Sequence, residues 1–155
     1  IRIRVYPGAD MVFSSPMIRC KRTAEIIYPD KYLHIIDNLR ETDFGSFEGK
    51  NYRELSSLKE YKDWLNAGTD TAFPGGASKS EAVCRTMEGF NRLLQIGTDC
   101  KNISAIVHGG TIMAVLSTLF EGEYYSYHVE NGEGYTFDIS SDGLCHGLHI
   151  RSFLR

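Results

Sequence analysis

A histidine beside two glycines is the first residue whose setting suggests chemistry. His108 follows the mostly apolar residues 103–107, which are typical of a buried strand, and precedes Gly109-Gly110. Thr111 is a candidate N-cap for the apolar helix predicted over residues 112–120. A strand that turns into a helix directs free backbone N–H groups and the positive end of the helix dipole at one place. The pattern favours an anion site with a titratable side chain at its rim. A structural histidine at a strand end fits the same pattern.

A second strand–turn–helix unit lies near the start of the chain. Residues 11–13 are apolar, residues 14–16 form a polar turn, and residues 17–27 predict a helix with Ser15 as its N-cap. Arg19 falls in the first turn of that helix, from where its guanidinium can reach the space around the turn. From this segment alone, a solvated surface charge is the simpler interpretation of Arg19.

The loop over residues 39–49 mixes acidic and aromatic side chains. Its carboxylates are those of Glu41, Asp43 and Glu48. The two phenylalanines of the loop can exclude water from a carboxyl group and so raise its pKa. A carboxyl that stays protonated near neutral pH can act as a general acid. In the alternative interpretation, the phenylalanines anchor the loop in the core and the acids face water.

The rest of the chain alternates strands with helices. Strands are predicted over residues 1–5 and 33–36, and helices over residues 51–65 and from Ser78 or Ser80 to about residue 96. Within the last helix, Arg85 and Arg92 are interpreted as ordinary surface charges. A hairpin ends the pattern, with strands over residues 135–139 and 148–153 and a turn at 141–143.

This alternation predicts an α/β protein, a three-layer α/β/α sandwich whose largely parallel central sheet has a C-terminal antiparallel hairpin at its end. Ligands bind such sheets outside the carboxyl ends of the strands. The turns that carry Arg19 and His108 both lie at such ends. If their strands are neighbours, the two side chains share a pocket.

Bulk composition limits the classes of partner. The chain has 155 residues, 42% hydrophobic and 24% charged, which predicts a single domain over residues 1–155. A net charge of −3 gives no reason to expect nucleic acid or an anionic membrane as a partner. No apolar run approaches the roughly 20 residues of a membrane-spanning helix, and no signal-peptide pattern is present. The four cysteines show no C-x-x-C spacing, so we expect buried thiols in a reducing cytoplasm.

Four motifs occur in order along the chain: SSPMIRCKRTAEII from Ser14, LRETDFGSFEG from Leu39, PGGAS from Pro74 and VHGGT from Val107. Together they resemble the histidine phosphatase superfamily, also called the phosphoglycerate mutase-like family. The resemblance covers nearly the whole chain. It implies an α/β/α sandwich and phosphoryl transfer through a phosphohistidine, with no metal and no other cofactor.

The resemblance also implies roles for single residues. Arg19 matches the arginine that clamps the phosphoryl oxygens, for which a planar fork of donors is well suited. Glu41 matches the acid that protonates the leaving oxygen and later activates water. His108 matches the second histidine, which donates to the phosphoryl group and stabilises the charge of the transition state. The backbone N–H of Gly109 adds to this phosphate site.

The chain departs from the family at its start and at one loop residue. The family's first strand ends in Arg-His-Gly, whose histidine is the nucleophile, yet none of the five histidines here precedes the SSP motif. Either the chain is a natural fragment or degenerate relative, or the sequence omits residues that the protein has. We favour omission, because residues 1–3 resemble the beginning of that first strand, joined abruptly to residues 5–8. Ala77 stands where the family commonly has glutamate.

The pattern favours a metal-independent phosphatase acting on small phosphomonoesters. About 25 residues separate Gly49 from Pro74, an ordinary connection, whereas mutases of the family usually carry a longer insertion to retain the substrate. The TDFGSFEG motif resembles the branch that contains α-ribazole and broad-specificity phosphatases. The alternatives are a phosphoglycerate mutase and, without the nucleophile, a module that only binds phosphorylated ligands. The sequence leaves open whether the protein is a homodimer.

Overall fold

Three short parallel strands form the sheet that positions the candidate site. The computed structural model describes residues 6–68 and 70–152. Strand β1 (Met11–Ser14) lies in the middle, between β2 (Leu33–Ile35) and β3 (Ile103–Ile106). Ser14 is in register with Ile35 on one side and with Ile106 on the other. The ends of β1 and β3, which carry the two turns of interest, are therefore neighbours.

The predicted strand over residues 1–5 lies outside the described residues. The proposed site of omitted residues, between residues 3 and 5, also lies outside them. The last predicted strand ends at residue 153, which also lies outside them.

The described residues form five α-helices: α1 (Ile18–Ile27), α2 (Tyr52–Ser56), α3 (Lys59–Ala67), α4 (Lys79–Ile96) and α5 (Gly109–Leu119). Of these, α1 and α4 pack on opposite faces of the sheet. Successive side chains of a strand point to opposite faces, so Val12 and Phe13 enter two different clusters. Val12 packs with Ala24 of α1, whereas Phe13, which is fully buried, packs with Leu39 and with Leu93 of α4. This layering explains why β1 is almost entirely apolar.

The C-terminal hairpin forms a sheet of its own. Strand β4 (Glu133–Ile139) pairs antiparallel with β5 (Cys145–Ser152), and a bulge lies between Thr136 and Asp138. Among the described residues, these strands are not hydrogen-bonded to β1–β3. The mixed α/β architecture, with a parallel sheet and an antiparallel hairpin, confirms the predicted fold class, but within the described residues the hairpin is not joined to the end of the parallel sheet as predicted.

The helix predicted over residues 51–65 is two helices. Asn51, predicted to lie within the helix, is instead the N-cap of α2 and forms a capping box with Glu54. The hydroxyl of Ser57 then donates to the carbonyl of Glu54 at 2.8 Å, and Leu58 adopts an extended backbone (φ −82°, ψ 131°). Serine side chains that bond the preceding turn compete with helix propagation, which accounts for the break before α3.

The predicted caps are right for one helix and wrong for two. Ser78 caps α4 and forms a capping box with Glu81. Helix α1 begins at Ile18, and its N-cap Met17 makes no side-chain cap bond, so Ser15 is not the cap. Helix α5 begins at Gly109 with His108 as its N-cap. Thr111 therefore lies inside the first turn of α5.

The four cysteines are free, but only Cys20 is buried. Cys84 is exposed, and Cys100 and Cys145 are half-buried, so the expectation of four buried thiols is wrong for three of them. Across residues 6–68 and 70–152, we find no helix with both the length and the apolar character that crossing a bilayer requires.

Candidate active site

Three side chains from distant parts of the chain meet at the carboxyl edge of the sheet. Arg19 lies in the first turn of α1, after β1, and His108 lies between β3 and α5. Glu41 lies between them: its Oε2 is 3.9 Å from Nη2 of Arg19 and 3.7 Å from Nδ1 of His108. The structure thus brings together the three side chains that the sequence predicts to be catalytic.

The imidazole of His108 is buried and held from one side. Its Nε2 lies 2.7 Å from the Ser15 hydroxyl, and the same hydroxyl oxygen accepts a bond from the backbone N–H of Met17 at 3.3 Å. The thiol of Cys20 lies 3.5 Å from Nε2. With Nε2 turned toward Ser15, Nδ1 is the nitrogen that faces Glu41.

Burial makes His108 a poor base. Desolvation, followed by the positive charges of Arg19 and Arg85, lowers the pKa of His108 to about 4. The imidazole is therefore neutral at neutral pH, and its 3.7 Å approach to Glu41 is not an ion pair there. A neutral imidazole donates from one nitrogen and accepts at the other, so the proton lies on Nδ1 when Ser15 donates to Nε2.

The Glu41 carboxyl is held in a site that disfavours its charge. Burial raises its pKa, while the backbone N–H of Thr42, which donates to Oε1 at 3.0 Å, and the charge of Arg19 oppose the shift. Gly110 leaves room for the carboxyl, because a Cβ at that position would lie 2.6 Å from Oε1.

The aromatic residues of the acidic loop (residues 39–49) serve as anchors. Phe44 and Phe47 pack against Phe73, with ring centroids 5.1 and 6.1 Å away, and Phe47 also contacts Tyr61 and Trp64. This cluster matches the interpretation in which the phenylalanines hold the loop.

The other two carboxylates of the acidic loop face water, unlike Glu41. Asp43 accepts from the N–H of Gly45 at 2.9 Å and Glu48 from that of Phe44 at 3.1 Å, and both are exposed. Each carboxylate thus supports the local turn of its own loop.

The loop over residues 73–77 is joined to the acidic loop by backbone hydrogen bonds. The N–H of Ser46 donates to Pro74 at 2.8 Å, and the N–H of Ala77 donates to Asp43 at 2.9 Å. A Cβ on Gly76 would lie 2.4 Å from the carbonyl oxygen of Asp43, so the close approach of the two loops requires glycine there. The contact explains the Pro-Gly-Gly motif as a structural one.

Arg19 presents free donors to the cleft. Its side chain is 55% exposed, and Glu41 lies at the edge of ion-pair range. The first-turn N–H groups of α5, beginning with Gly109, lie beside His108, whose Nδ1 is 3.7 Å from the Glu41 carboxyl. A cation and a helix N-terminus that both lie near the Glu41 carboxyl suit an anionic ligand.

Arg85 is not the surface charge that its segment predicts. It is half-buried, and its Nη1 donates to the carbonyls of Asn38 and Arg40 at 3.0 and 2.7 Å. Its Nη2 donates to the carbonyl of Glu41 at 3.3 Å. Arg92, by contrast, is exposed as expected. The helical spacing could have distinguished the two arginines, because Arg85 lies three residues after the buried Ala82 and four before the buried Gly89, on the same face of α4.

Tyr124 is a second residue that sequence analysis missed. Its hydroxyl donates to the carbonyl of Gly110 at 3.1 Å, and burial raises its pKa to about 12. The phenol therefore stays protonated and holds the turn that leads from His108 into α5. Nothing local in the sequence separates Tyr124 from the tyrosines around it.

The cleft has a volume of about 360 Å³. Its lining comes from the first turn of α1 and the acidic loop: Pro16, Met17, Arg19, Arg40, Glu41, Thr42, Asp43 and Glu48. A larger cavity of about 460 Å³ beside β4 and β5 contains none of the three predicted catalytic residues. Within the described part of the chain, no three His, Cys, Asp or Glu side chains converge as metal ligands would.

Comparison with known proteins agrees with this geometry. A model of the histidine phosphatase superfamily (branch 1) matches residues 5–146. Uncharacterized phosphatase PhoE of Bacillus subtilis is 31% identical over 118 residues, 74% of this chain and 55% of PhoE. Adenosylcobalamin/alpha-ribazole phosphatase of Salmonella typhimurium is 27% identical over 137 residues, 84% of this chain and 67% of that protein. The chain thus spans about half to two thirds of these relatives.

A solved structure shows the same fold. The alpha-ribazole phosphatase of Shigella flexneri superposes with a TM-score of 0.78 at 24% identity, over 94% of this chain and 74% of that one. The family match covers most of the chain, from β1 through β4. On these grounds the chain belongs to the histidine phosphatase superfamily, branch 1.

Proposed function

We propose that the full-length protein is a metal-independent phosphatase that hydrolyses small phosphomonoesters through a phosphohistidine. The observation that carries the proposal is the convergence of Arg19, Glu41 and His108, with Oε2 of Glu41 within 4 Å of both partners. Relatives named as phosphatases support it. A cleft of about 360 Å³ suits a small organic phosphate.

Binding of the phosphoryl group falls to three donors. The Arg19 guanidinium offers paired N–H groups that match phosphate oxygens. The N–H of Gly109 at the start of α5 offers a backbone donor aligned with the helix dipole. When Ser15 donates to Nε2 of His108, the proton of the imidazole lies on Nδ1, on the side of the cleft. These donors stabilise the charge that spreads over the phosphoryl oxygens in the transition state.

Glu41 moves the proton in both half-reactions. As the ester P–O bond breaks and a P–N bond forms to the nucleophilic histidine, the protonated carboxyl of Glu41 donates to the leaving oxygen. The resulting carboxylate then takes a proton from water, whose oxygen attacks phosphorus as the P–N bond breaks. The raised pKa of Glu41 keeps the acid form available for the first step. In this proposal the nucleophile is a histidine additional to the five in the sequence.

The half-exposed Arg19 favours hydrolysis over mutase chemistry, because an open cleft admits water and releases the product. In the described part of the connection between Gly49 and Pro74, the structure shows two short helices, α2 and α3. A mutase must retain its phosphorylated intermediate until it reacts again. An open cleft is therefore better suited to hydrolysis, and the experiment below distinguishes a phosphatase from a mutase and from a binding module.

The test is hydrolysis of p-nitrophenyl phosphate by the full-length protein with excess EDTA. We expect turnover, and we expect His108→Ala and Arg19→Ala each to lower kcat about 100-fold or more, as loss of a transition-state donor does. Arg22→Ala is the matched control, since Arg22 is exposed on the same helix and should keep wild-type turnover. Isomerisation of 3-phosphoglycerate without phosphate release would instead indicate a mutase. Tight phosphate binding without turnover would indicate a binding module.

A further inference from the structure

We propose that Arg85 is a positioning residue that holds the Glu41 carboxyl in the cleft by binding the backbone of the acidic loop. The inference rests on the proposed function, because it assigns Arg85 a part in delivering the proton of Glu41. Arg85 lies outside the cleft lining and acts through the loop.

The guanidinium fork bridges three carbonyls that come just before or at Glu41. Arg85 donates to Asn38, Arg40 and Glu41, residues 44 to 47 positions away in the sequence. The carbonyl between them, that of Leu39, accepts from the hydroxyl of Thr111 at 3.4 Å. Four consecutive carbonyls are therefore bound by side chains of α4 and α5. The backbone of Glu41 is fixed by two helices.

The helix surface around Arg85 is shaped for this contact. At Gly89, one turn further along α4, a Cβ would lie 2.9 Å from the Cβ of Asn38 and 3.0 Å from Cδ2 of Leu39. The absent side chain lets α4 approach the loop, which brings the guanidinium within bonding distance. The amide of Asn38 also donates to Glu88 at 3.0 Å, so successive turns of α4 hold the same segment.

The charge of Arg85, unlike its hydrogen bonds, does not favour the acid form of Glu41. It lowers the pKa of Glu41 and also that of His108. Charged or titratable groups of several elements surround the Glu41 carboxyl: Arg19 of α1, Glu48 of the acidic loop, Arg85 of α4, His108 before α5 and Tyr124 after it. Loss of the Arg85 charge should raise the pKa of Glu41, whereas release of the loop into water should lower it.

The first experiment compares two substrates in the full-length protein. A p-nitrophenyl ester needs little protonation of its leaving oxygen, whereas an alkyl phosphate needs much. We expect Arg85→Met to lower kcat on the alkyl ester about 100-fold, the effect of a displacement of about 1 Å, and on the aryl ester less than about 3-fold. Arg92→Met, on the same helix and exposed, should change neither. Equal losses on both esters would overturn the proposal.

A double-mutant cycle tests whether Arg85 acts through Glu41. In a Glu41→Gln background, Arg85→Met should cause no further loss on the alkyl ester, because the proton donor is already gone. If the double mutant instead loses as much as the product of the two single losses, Arg85 has a merely structural role and the inference is overturned. If Arg85→Met does not fold, Arg85→Lys replaces it. The lysine keeps the charge but cannot bridge three carbonyls, so the alkyl-specific loss should persist.

A readout independent of turnover separates this inference from the proposed function. Failure of the wild-type protein to hydrolyse either ester overturns the proposed function alone. Carbon-13 NMR titration of Glu41, assigned through Glu41→Gln, then tests Arg85 directly. We expect the carboxyl pKa to fall toward its ordinary value in Arg85→Lys, which keeps the charge but lets water reach the released loop, and to stay in place in Arg92→Lys. An unchanged titration in Arg85→Lys would overturn the positioning role.

Discussion

The Ser15 hydroxyl lies 2.7 Å from Nε2 of His108, although 93 residues separate the two in sequence. Strand β1 delivers the serine, and β3, its neighbour in the sheet, delivers the histidine. Ser15 has no exposed surface, so its bond to the imidazole forms away from water. The contact fixes which nitrogen of His108 faces the cleft.

Ser15→Ala should therefore weaken catalysis without unfolding the protein. Removal of the hydroxyl leaves Nε2 without its partner and frees the imidazole to rotate, so we expect kcat to fall about 10-fold, the equivalent of one hydrogen bond of about 1.4 kcal/mol. Ser14→Ala is the matched control, since Ser14 is equally buried but donates to the backbone of Ser15 at 2.9 Å. Equal losses in the two variants would refute a specific role for the Ser15 hydroxyl.

Glu41→Gln should separate substrates by their leaving groups. The amide cannot donate an acidic proton, so we expect alkyl phosphates to lose 100-fold or more in kcat, roughly the value of general acid catalysis, and aryl phosphates far less. Glu25→Gln serves as the control, because Glu25 is an exposed carboxylate of α1 that does not line the cleft. The difference is measured with a series of aryl phosphates whose leaving phenols have rising pKa, by plotting log kcat against that pKa. If this plot has the same slope in Glu41→Gln and in the wild type, Glu41 does not donate the proton.

The stability of the fold should depend on pH through His108. The folded-state pKa is about 4 and the ordinary value is 6.5, so the unfolded chain binds more protons between these two values. The free energy of unfolding should therefore fall as pH drops from 6.5 to 4. At roughly 1.4 kcal/mol for each tenfold change in proton affinity, the loss approaches about 3 kcal/mol.

Urea denaturation at pH 7 and at pH 4 measures this loss, and His108→Gln provides the reference. Glu41 works in the opposite direction, because its raised pKa makes the folded state bind more protons above its ordinary value. Comparing the two proteins cancels that contribution. If the free energy of unfolding falls no more between pH 7 and pH 4 in the wild type than in His108→Gln, the imidazole is not buried in its neutral form.

Gly110→Ala should displace the Glu41 carboxyl while the fold persists. The new methyl group would lie 2.6 Å from Oε1 of Glu41, the mobile end of a side chain that can swing away. We expect the Glu41 carboxyl resonance to shift and alkyl ester turnover to fall about 10-fold or more. Gly109→Ala is matched in helix position, and its Cβ meets no heavy atom within 4 Å, so the Glu41 resonance should stay in place. A resonance that stays in place in both variants would contradict this account.

Local patterns predicted the parts of the site that depend on strand ends. The strand–turn–helix units placed Arg19 and His108 correctly, because parallel strands that are neighbours end at the same edge. The roles of Ser15 and Thr111 were misjudged as helix caps. Both hydroxyls instead bond residues 93 and 72 positions away, a choice that only the tertiary arrangement decides.

Arg85 shows the same limit for charged residues. Nothing adjacent to it indicates that three carbonyls of another segment will meet its guanidinium. The break between α2 and α3 was missed for a different reason. Apolar spacing continues across it, whereas the extended conformation of Leu58 follows from local side-chain bonds of serine to the backbone.

The bonds between the acidic loop and residues 73–77 have a consequence for engineering. Residues 50–72 form an excursion that leaves the acidic loop after Gly49 and returns beside it at Phe73. Two backbone hydrogen bonds close the base of this excursion, from the N–H of Ser46 to the carbonyl of Pro74 and from the N–H of Ala77 to the carbonyl of Asp43. Because the entropy of closing a loop grows slowly with its length, changing the length of this excursion costs little as long as Tyr61 and Trp64 still pack on Phe47. Grafted segments that keep this aromatic contact can therefore vary substrate choice while the acidic loop that carries Glu41 keeps its position.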